Sequence, residues 1–235
     1  MRIGNAGWRD RLAGGLIVSC QAREGHPLHD PVVIAAMANA AVAGGAVGLR
    51  INGEEDIRAV RRSIDVPIIG IRKVSTADSP VYITPTFEDA RIVADAGADI
   101  IALDATARPR RGGEQLDDLI SRIKKALGRA VMADVATLEE GVHAAELGAD
   151  LVATTLSGYT GDGSGTTSED PDLELVRKLV AAKRAPVVAE GRYRTPGQVR
   201  EALRVGAFAV VVGRAITDPL MLTKAFVEAT KGFRR

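Results

Sequence analysis

Several short apolar runs in this 235-residue chain end on a polar side chain of a kind that does chemistry. Lys73 follows Pro-Ile-Ile-Gly-Ile-Arg, and an amine at the end of such a run loses solvent. Desolvation lowers a lysine pKa, so the amine can act as a base or a Schiff-base nucleophile. The competing structural role is an ion pair with Asp104 or Glu190. Glu190 closes Val-Val-Ala and precedes Gly191-Arg192, which suits a general acid or base. The alternative is a rim carboxylate paired with Arg192 or Arg214. Gln21, Asp104, Asp134, Thr154 and Thr155 end further runs, and Arg50 lies within one. Each alone reads as the point where a strand meets solvent; together they converge only if one fold brings the run ends to one rim.

Two Gly-Arg pairs, Gly191-Arg192 and Gly213-Arg214, follow late runs. Glycine lets backbone N–H groups approach an anion, and a helix start adds favourable dipoles, so the pairs point to a phosphate site. Turn glycines beside solvated arginines are the competing reading. Ser157–Glu169 is long and glycine-rich, either a lid or a surface loop. Cys20 reads as a buried small thiol rather than a nucleophile. His26 and His29 read as turn or capping residues, and His143 as a surface position on a helix. Trp8, Tyr82 and Tyr159 are too scattered for a nucleic-acid stacking platform.

The elements that must position these groups alternate. Leu16–Ser19, Val47–Ile51, Pro67–Ile71, Ile100–Leu103, Ala130–Ala133, Leu151–Thr155, Pro186–Ala189 and Phe208–Val212 read as eight strands, several apolar on both faces. Between them, apolar residues recur at three- and four-residue spacing, as in Leu138, Val142 and Ala145, or Leu222, Ala225, Phe226 and Ala229; these predict helices covering the sheet. Asp30-Pro31, Asp170-Pro171, Thr195-Pro196 and Asp218-Pro219 each place an acceptor at N-cap and proline first in the helix. Thr86 with Asp89 predicts a capping box. Gly-Ala pairs at Gly45, Gly97, Gly148 and Gly206 end helices before every second strand, at intervals of roughly fifty residues, the size of two βα units. The expected fold is α/β: a single-domain (β/α)8 TIM barrel spanning 1–235, with its active site at the C-terminal ends of the strands. An open doubly wound sheet is the alternative.

Composition agrees and excludes other classes. Hydrophobic residues make up 46%, enough for a sizeable core, while 25 glycines and 3% aromatics suit parallel strands under helices better than an aromatic-cored sandwich. The formal net charge of +1 gives no drive toward nucleic acid or an anionic membrane. One cysteine excludes a disulfide framework, three histidines argue against a zinc site, and no apolar stretch is long enough to cross a bilayer. Met1–Leu12 lacks the apolar core of a targeting signal, so the expected location is cytoplasmic.

Many motifs, in one order along nearly the whole chain, resemble bacterial N-acetylmannosamine-6-phosphate 2-epimerases of the ribulose-phosphate-binding barrel group. They include LIVSCQA to Ala22, AAMANAAVAGGAVGLR to Arg50, PIIGIRK to Lys73, YITPT from Tyr82, ALDAT to Thr106, MADVATLEEG, GADLVATTLSGYT, VVAEGR and VVGRAIT. The resemblance implies that Lys73 and Glu190 form the catalytic pair with Asp134 as a further carboxylate. It implies that Gln21, Arg50 and Asp104 contact the sugar or acyl group, to which Thr154 is added as a strand-end hydroxyl. It assigns phosphate to Gly191, Arg192, Gly213 and Arg214. Many members carry Ile-Thr-Arg-Pro where this chain has an aspartate at Asp218, and Arg23 and Arg72 stand at positions that are often apolar.

The implied chemistry fits the side chains. The C2 hydrogen of an N-acylamino sugar is acidic only once the ring opens and an aldehyde adjoins C2. Lys73, uncharged, would exchange that proton; Glu190 would assist ring opening. The pair is too strongly coupled for a clean division of labour. No nicotinamide, other cofactor or metal is expected. The expected partner is a small sugar phosphate, with no nucleic acid and no membrane. A homodimer or higher homo-oligomer is compatible with the apolar Met221–Thr230 segment, which would otherwise cover strand eight. The rival functions are an aldolase-type lyase using a Lys73 Schiff base and a noncatalytic sugar-phosphate-binding barrel.

Overall fold

In the computed structural model, which describes residues 7–160 and 169–233, the eight apolar runs pair as parallel strands. They are β1 (Leu16–Cys20), β2 (Gly48–Asn52), β3 (Ile68–Ile71), β4 (Ile100–Asp104), β5 (Ala130–Asp134), β6 (Leu151–Ala153), β7 (Val187–Glu190) and β8 (Ala209–Val212). They close in sequence order, with β8 pairing back to β1, into a (β/α)8 barrel. The helices are α1 (Gly7–Leu12), α2 (Pro31–Ala43), α3 (Glu54–Arg61), α4 (Phe87–Ala96), α5 (Leu116–Arg122), α6 (Leu138–Glu146), α7 (Leu173–Ala182), α8 (Pro196–Arg204), α9 (Arg214–Thr217) and α10 (Pro219–Glu228).

Local chemistry sets the boundaries. Asp30 accepts from Val32 N at 2.7 Å with Pro31 following, and Thr86 with Asp89 forms a reciprocal capping box. Gly45, Gly97, Gly148 and Gly206 all take φ between 97° and 114°, a region closed to most side chains, as the chain turns from helix to strand. One cap differs from expectation. Asp172, not Asp170, caps α7 by accepting from Leu175 N at 2.9 Å, so Pro171 stands before the helix.

Two apolar layers follow from side-chain alternation. Ile17, Ile69, Ile71, Ile100, Ala102, Met132, Val188 and Val211 fill the barrel interior. Their outward neighbours, such as Val18, Leu49, Ile68, Ile101 and Val131, pack beneath the helices. The helix α1 had no counterpart in the sequence reading. Its buried Trp8 and Leu12 belong to the interior layer and plug the N-terminal end of the barrel.

The last helix corrects an expectation. Leu222, Ala225, Phe226 and Ala229 were expected to lie on a helix covering the sheet, yet no residue of α10 is buried. Phe226 is 76% exposed. No helix among the described residues is long and apolar enough to cross a membrane.

Candidate active site at the C-terminal mouth of the barrel

The alternation that turns Ile69, Ile71, Ala102, Met132 and Val188 inward carries the same face one step further at each strand end. Lys73, Asp104, Asp134 and Glu190 thereby come to one rim, joined by Arg50 from β2, Gln21 beyond β1 and Thr155 beyond β6. The convergence expected from the run ends is the geometry observed.

Arg50 is the hub. Its guanidinium is fully buried and grips Asp134 with two bonds, Nη1 to Oδ1 at 3.0 Å and Nη2 to Oδ2 at 2.5 Å. The same Nη1 donates to Glu190 Oε2 at 2.7 Å. Burial works against the charge on Arg50, but Asp134 and Glu190 outweigh it and raise its pKa. The planar fork of arginine suits such a bidentate hold. Thr155 completes the cluster, its Oγ1 lying 2.7 Å from Asp134 Oδ1 and 3.1 Å from Glu190 Oε2.

Lys73 stands apart from this network. Its backbone N–H donates to Asn52 Oδ1 at 2.9 Å, while its amine has no hydrogen bond or ion pair among the described residues. The structural alternative, an ion pair with Asp104 or Glu190, is therefore not what the side chain does. Crowding by protein atoms in the mouth, then the Arg50 cation, lowers its pKa; Glu190 and Asp134 oppose, and Arg214 adds a further push down. Glu190 moves the other way: burial raises its pKa, Arg50 opposes, and the Asp134 carboxylate adds to the rise. Lys73 as a whole remains exposed, so the loss of solvent expected at its strand end is only partial. An amine shifted toward its neutral form beside a carboxyl shifted toward its protonated form has the directions that proton exchange between them requires.

Other sequence candidates land differently. Thr154 is buried, and its hydroxyl accepts from Glu190 N at 3.0 Å and donates to Glu190 O at 2.9 Å; it holds the strand end and leaves the mouth to Thr155. Both residues were expected to end strand six, but they form a 3-10 turn after Ala153. Asp104 is enclosed: Thr106 N and Oγ1 donate to its Oδ1 at 3.0 and 2.7 Å, and Arg108 Nη2 donates to its Oδ2 at 2.6 Å. Gln21 donates to Ser19 Oγ at 2.7 Å, while its Oε1 is buried without a hydrogen-bond partner.

On the phosphate side, Gly191 has φ 110° and Arg192 φ 61°. Arg192 spends its guanidinium on loop carbonyls, Nη1 to Ser157 O at 2.6 Å and Nε to Asp170 O at 2.8 Å, and lies over the Tyr159 ring. It ties down both ends of the glycine-rich loop, of which residues 161–168, and with them the lid expectation, lie outside the described residues. Arg214 is exposed, and its side chain has no hydrogen bond or ion pair among the described residues, leaving its charge available. Gly213 precedes α9, whose first N–H groups have no intrahelical partner.

Two departures from the resembled family are engaged in local contacts. Arg72 points outward and binds Asp89 at 2.6 Å and Glu54 at 3.5 Å. Asp218 caps α10 through Met221 N at 2.8 Å. His26 accepts from Leu28 N at 3.1 Å, a turn role, and His143 is exposed. Burial pushes the Cys20 thiol up to about 12, so it is no nucleophile.

Three mouth residues were missed or misjudged from sequence. Thr155 was undistinguished from Thr154. Arg108 lies in a loop that the sequence reading did not single out. Tyr82 packs its ring on the interior layer, and burial with the Asp134 and Asp104 charges raises its pKa, which places its hydroxyl among the charged groups. Among the described residues no group of three or more His, Cys, Asp or Glu side chains is placed to hold a metal ion.

Comparison with known proteins adds an independent line. A family model described as "Putative N-acetylmannosamine-6-phosphate epimerase" matches residues 34–232. The "Putative N-acetylmannosamine-6-phosphate 2-epimerase" of Caldanaerobacter subterraneus subsp. tengcongensis is 48% identical over 222 residues, 94% of this chain and 93% of that protein. A protein of the same designation from Cutibacterium acnes is 47% identical over 232 residues, covering 96% of this chain and all of its own length. The solved N-acetylmannosamine-6-phosphate 2-epimerase from Clostridium perfringens is 43% identical, with a TM-score of 0.92 over 97% of this chain and 99% of that one. A thiamine phosphate pyrophosphorylase from Pyrococcus furiosus shares only the fold, at TM-score 0.61 and 22% identity over 95% of this chain and 99% of that one.

Proposed function

The chain belongs to the N-acetylmannosamine-6-phosphate epimerase family, and on that premise we propose that its barrel mouth inverts C2 of N-acetylmannosamine 6-phosphate to give the N-acetylglucosamine epimer. The observation that carries the chemistry is the unpaired Lys73 amine beside a carboxylate cluster organised by Arg50. Ring opening places the C1 aldehyde next to C2. Lys73, uncharged when it acts, removes the C2 proton, and the electron pair passes to C1 oxygen as an enolate. The open-chain enolate turns its other face to the Lys73 ammonium, which returns a proton to C2 and regenerates the neutral amine; this completes inversion with no net oxidation. Glu190, whose burial favours its protonated form, assists ring opening and carries protons at the hydroxyls. Asp134 acts through Arg50: by taking two of its N–H groups it aims the third bond at Glu190. Gln21, whose Oε1 has no partner in the protein, is assigned to a substrate hydroxyl or amide that would have to reach this buried atom.

The phosphate is assigned to Gly191 and Gly213 with the Arg214 charge, away from the reacting carbon, where it supplies remote binding energy. Arg192 contributes through its backbone and by holding the neighbouring loop, since its guanidinium is already bound. A second copy of this chain is the occupant assigned to the apolar face of α10, on which Leu220, Phe226 and Val227 are exposed.

Proton NMR of N-acetylmannosamine 6-phosphate with the enzyme in deuterated water tests the reaction. The expected result is interconversion of the two epimers with deuterium appearing at C2. Borohydride trapping of substrate on Lys73 would instead support a Schiff-base lyase, and tight binding without interconversion would support a noncatalytic binding barrel.

A further inference from the structure

Asp104 ends β4 facing the mouth, yet every side-chain oxygen it has is already engaged, one by Thr106 and the other by Arg108. What this strand end presents to a ligand is therefore the arginine. Arg108 Nε donates to Thr106 Oγ1 at 3.0 Å and Nη2 to Asp104 Oδ2 at 2.6 Å. Among the described residues its Nη1 has no partner. Two directed bonds fix the guanidinium plane and so fix where the free N–H edge points.

Neutralising the buried Asp104 is a structural task, and it uses only part of this side chain. Arg108 is 21% exposed; the cavity of about 440 Å3 that it borders lies outside the mouth, between the loop after β4 and α6, and is lined also by Glu114, Glu139, Glu140 and His143. The tie to the proposed site is instead Asp104, which faces the mouth and holds the guanidinium. Its two bonds reach only two and four residues back along its own loop. A tie of that kind orients the group rather than joining distant elements.

Barrel order says which part of a ligand the free edge meets. β4 lies four strands from β8 in either direction, diametrically across from the Gly213-Arg214 end. It also adjoins β3, whose end carries Lys73. In a substrate with phosphate on C6 held near β8 and C2 at Lys73, the substituent on C2 projects toward β4. That substituent is the acylamino group, with a neutral carbonyl acceptor. The charges divide in the same sense. Arg108 is neutralised by Asp104 and suits a neutral acceptor, whereas Arg214 is unpaired and suits a dianion.

We propose that Arg108 is a specificity-determining residue whose free Nη1 edge binds the carbonyl oxygen of the substrate's N-acyl group. The inference rests on the phosphate and Lys73 placements given above and extends them to the recognition of the acyl group.

Calorimetry and steady-state kinetics on Arg108→Ala test it, with N-acetylmannosamine 6-phosphate and glucose 6-phosphate as paired ligands; the second lacks the acylamino group. The expected result is a rise in Kd and KM for the acylated sugar of roughly ten- to a hundredfold, with kcat much less affected. The Kd for glucose 6-phosphate should stay within about twofold, since uniform binding is lost only where the contact is made. Because Arg108→Ala uncovers the Asp104 carboxylate, the double variant Asp104→Asn/Arg108→Ala must show the same selective loss. Equal weakening of both ligands in the double variant, or unchanged binding of the acylated sugar in either variant, overturns the proposal. Wild-type protein that fails to epimerise overturns the functional reading instead, while the binding comparison still decides the role of Arg108.

Discussion

Asp104 and Asp134 stand in register at the ends of β4 and β5, and each is bound to a different arginine. Two carboxylates side by side repel, and burial sharpens the repulsion. Arg50 from β2 neutralises Asp134, and Arg108 from the loop after β4 neutralises Asp104. The separation lets the two acids do different work on one rim. Asp134 holds Arg50 against Glu190, while Asp104 orients Arg108.

Removing the buried hub should be costly. Arg50→Ala leaves Asp134 and Glu190 as neighbouring buried carboxylates with no cation between them. Breaking a buried pair by deleting one partner costs about 3–5 kcal/mol, so this variant should melt well below wild type at neutral pH. Without Arg50 both acids gain protons more readily than in the unfolded chain, where they ionise normally. The defect should therefore shrink as pH falls and the pair protonates. Thermal melts across pH check this, and a defect independent of pH would count against the pairing as the cause.

Lys73 should matter for activity and little for stability. Its folded pKa lies below the ordinary 10.5 because of crowding and of the Arg50 charge. The residue is nonetheless exposed, so water screens its charged neighbours and little of that shift reaches the folding equilibrium. Lys73→Met should lose turnover and C2 deuterium exchange by about a thousandfold while its melting temperature at pH 7 stays close to wild type. A large melting change would mean that the lost activity reflects a damaged fold. Groups facing the amine are Arg50, Glu190, Asp134 and Arg214, and none of them is altered by the substitution.

Adjacent threonines should separate into two phenotypes. Thr154→Val strands the Glu190 N–H that its hydroxyl now accepts, which costs about 1–3 kcal/mol of stability. Thr155→Val removes a donor from Asp134 and Glu190 and should lower kcat with little change in melting temperature. Melting curves and rates on both variants decide. Reversed phenotypes would mean that the wrong threonine has been placed in the mouth.

The exposed helix makes its own prediction. If a second copy covers α10, Phe226→Glu should shift the sedimentation or light-scattering mass of the protein from oligomer to monomer. A wild-type protein that is already monomeric at micromolar concentration ends that assignment.

The barrel was legible in the sequence because its signals are local. Apolar runs closed by single polar residues mark strand ends, and Gly-Ala pairs mark helix exits; Lys73, Asp134 and Glu190 could be picked from these alone as mouth residues. What failed depended on one-residue shifts or on long-range contacts. Thr154 and Thr155 differ only in which side of the last turn they occupy, and strand alternation stops informing where the strand stops. Asp170-Pro171-Asp172 offers two acceptors around one proline, and the spacing to Leu175 N selected the second. Arg108 shows no periodicity, and its importance appears only once Asp104 is seen to be enclosed. The Trp8 plug belongs to a segment too short to show a helical pattern.

The plug also shapes traffic. With Trp8 and Leu12 sealing one end and close-packed side chains filling the interior, the barrel is a well and not a tunnel. Whatever enters to be transformed must leave by the opening it came through. Two epimers that share a phosphate and an acyl group therefore exclude one another from the same floor. Such a catalyst is held back by its own accumulating product and runs in whichever direction the surrounding metabolism drains.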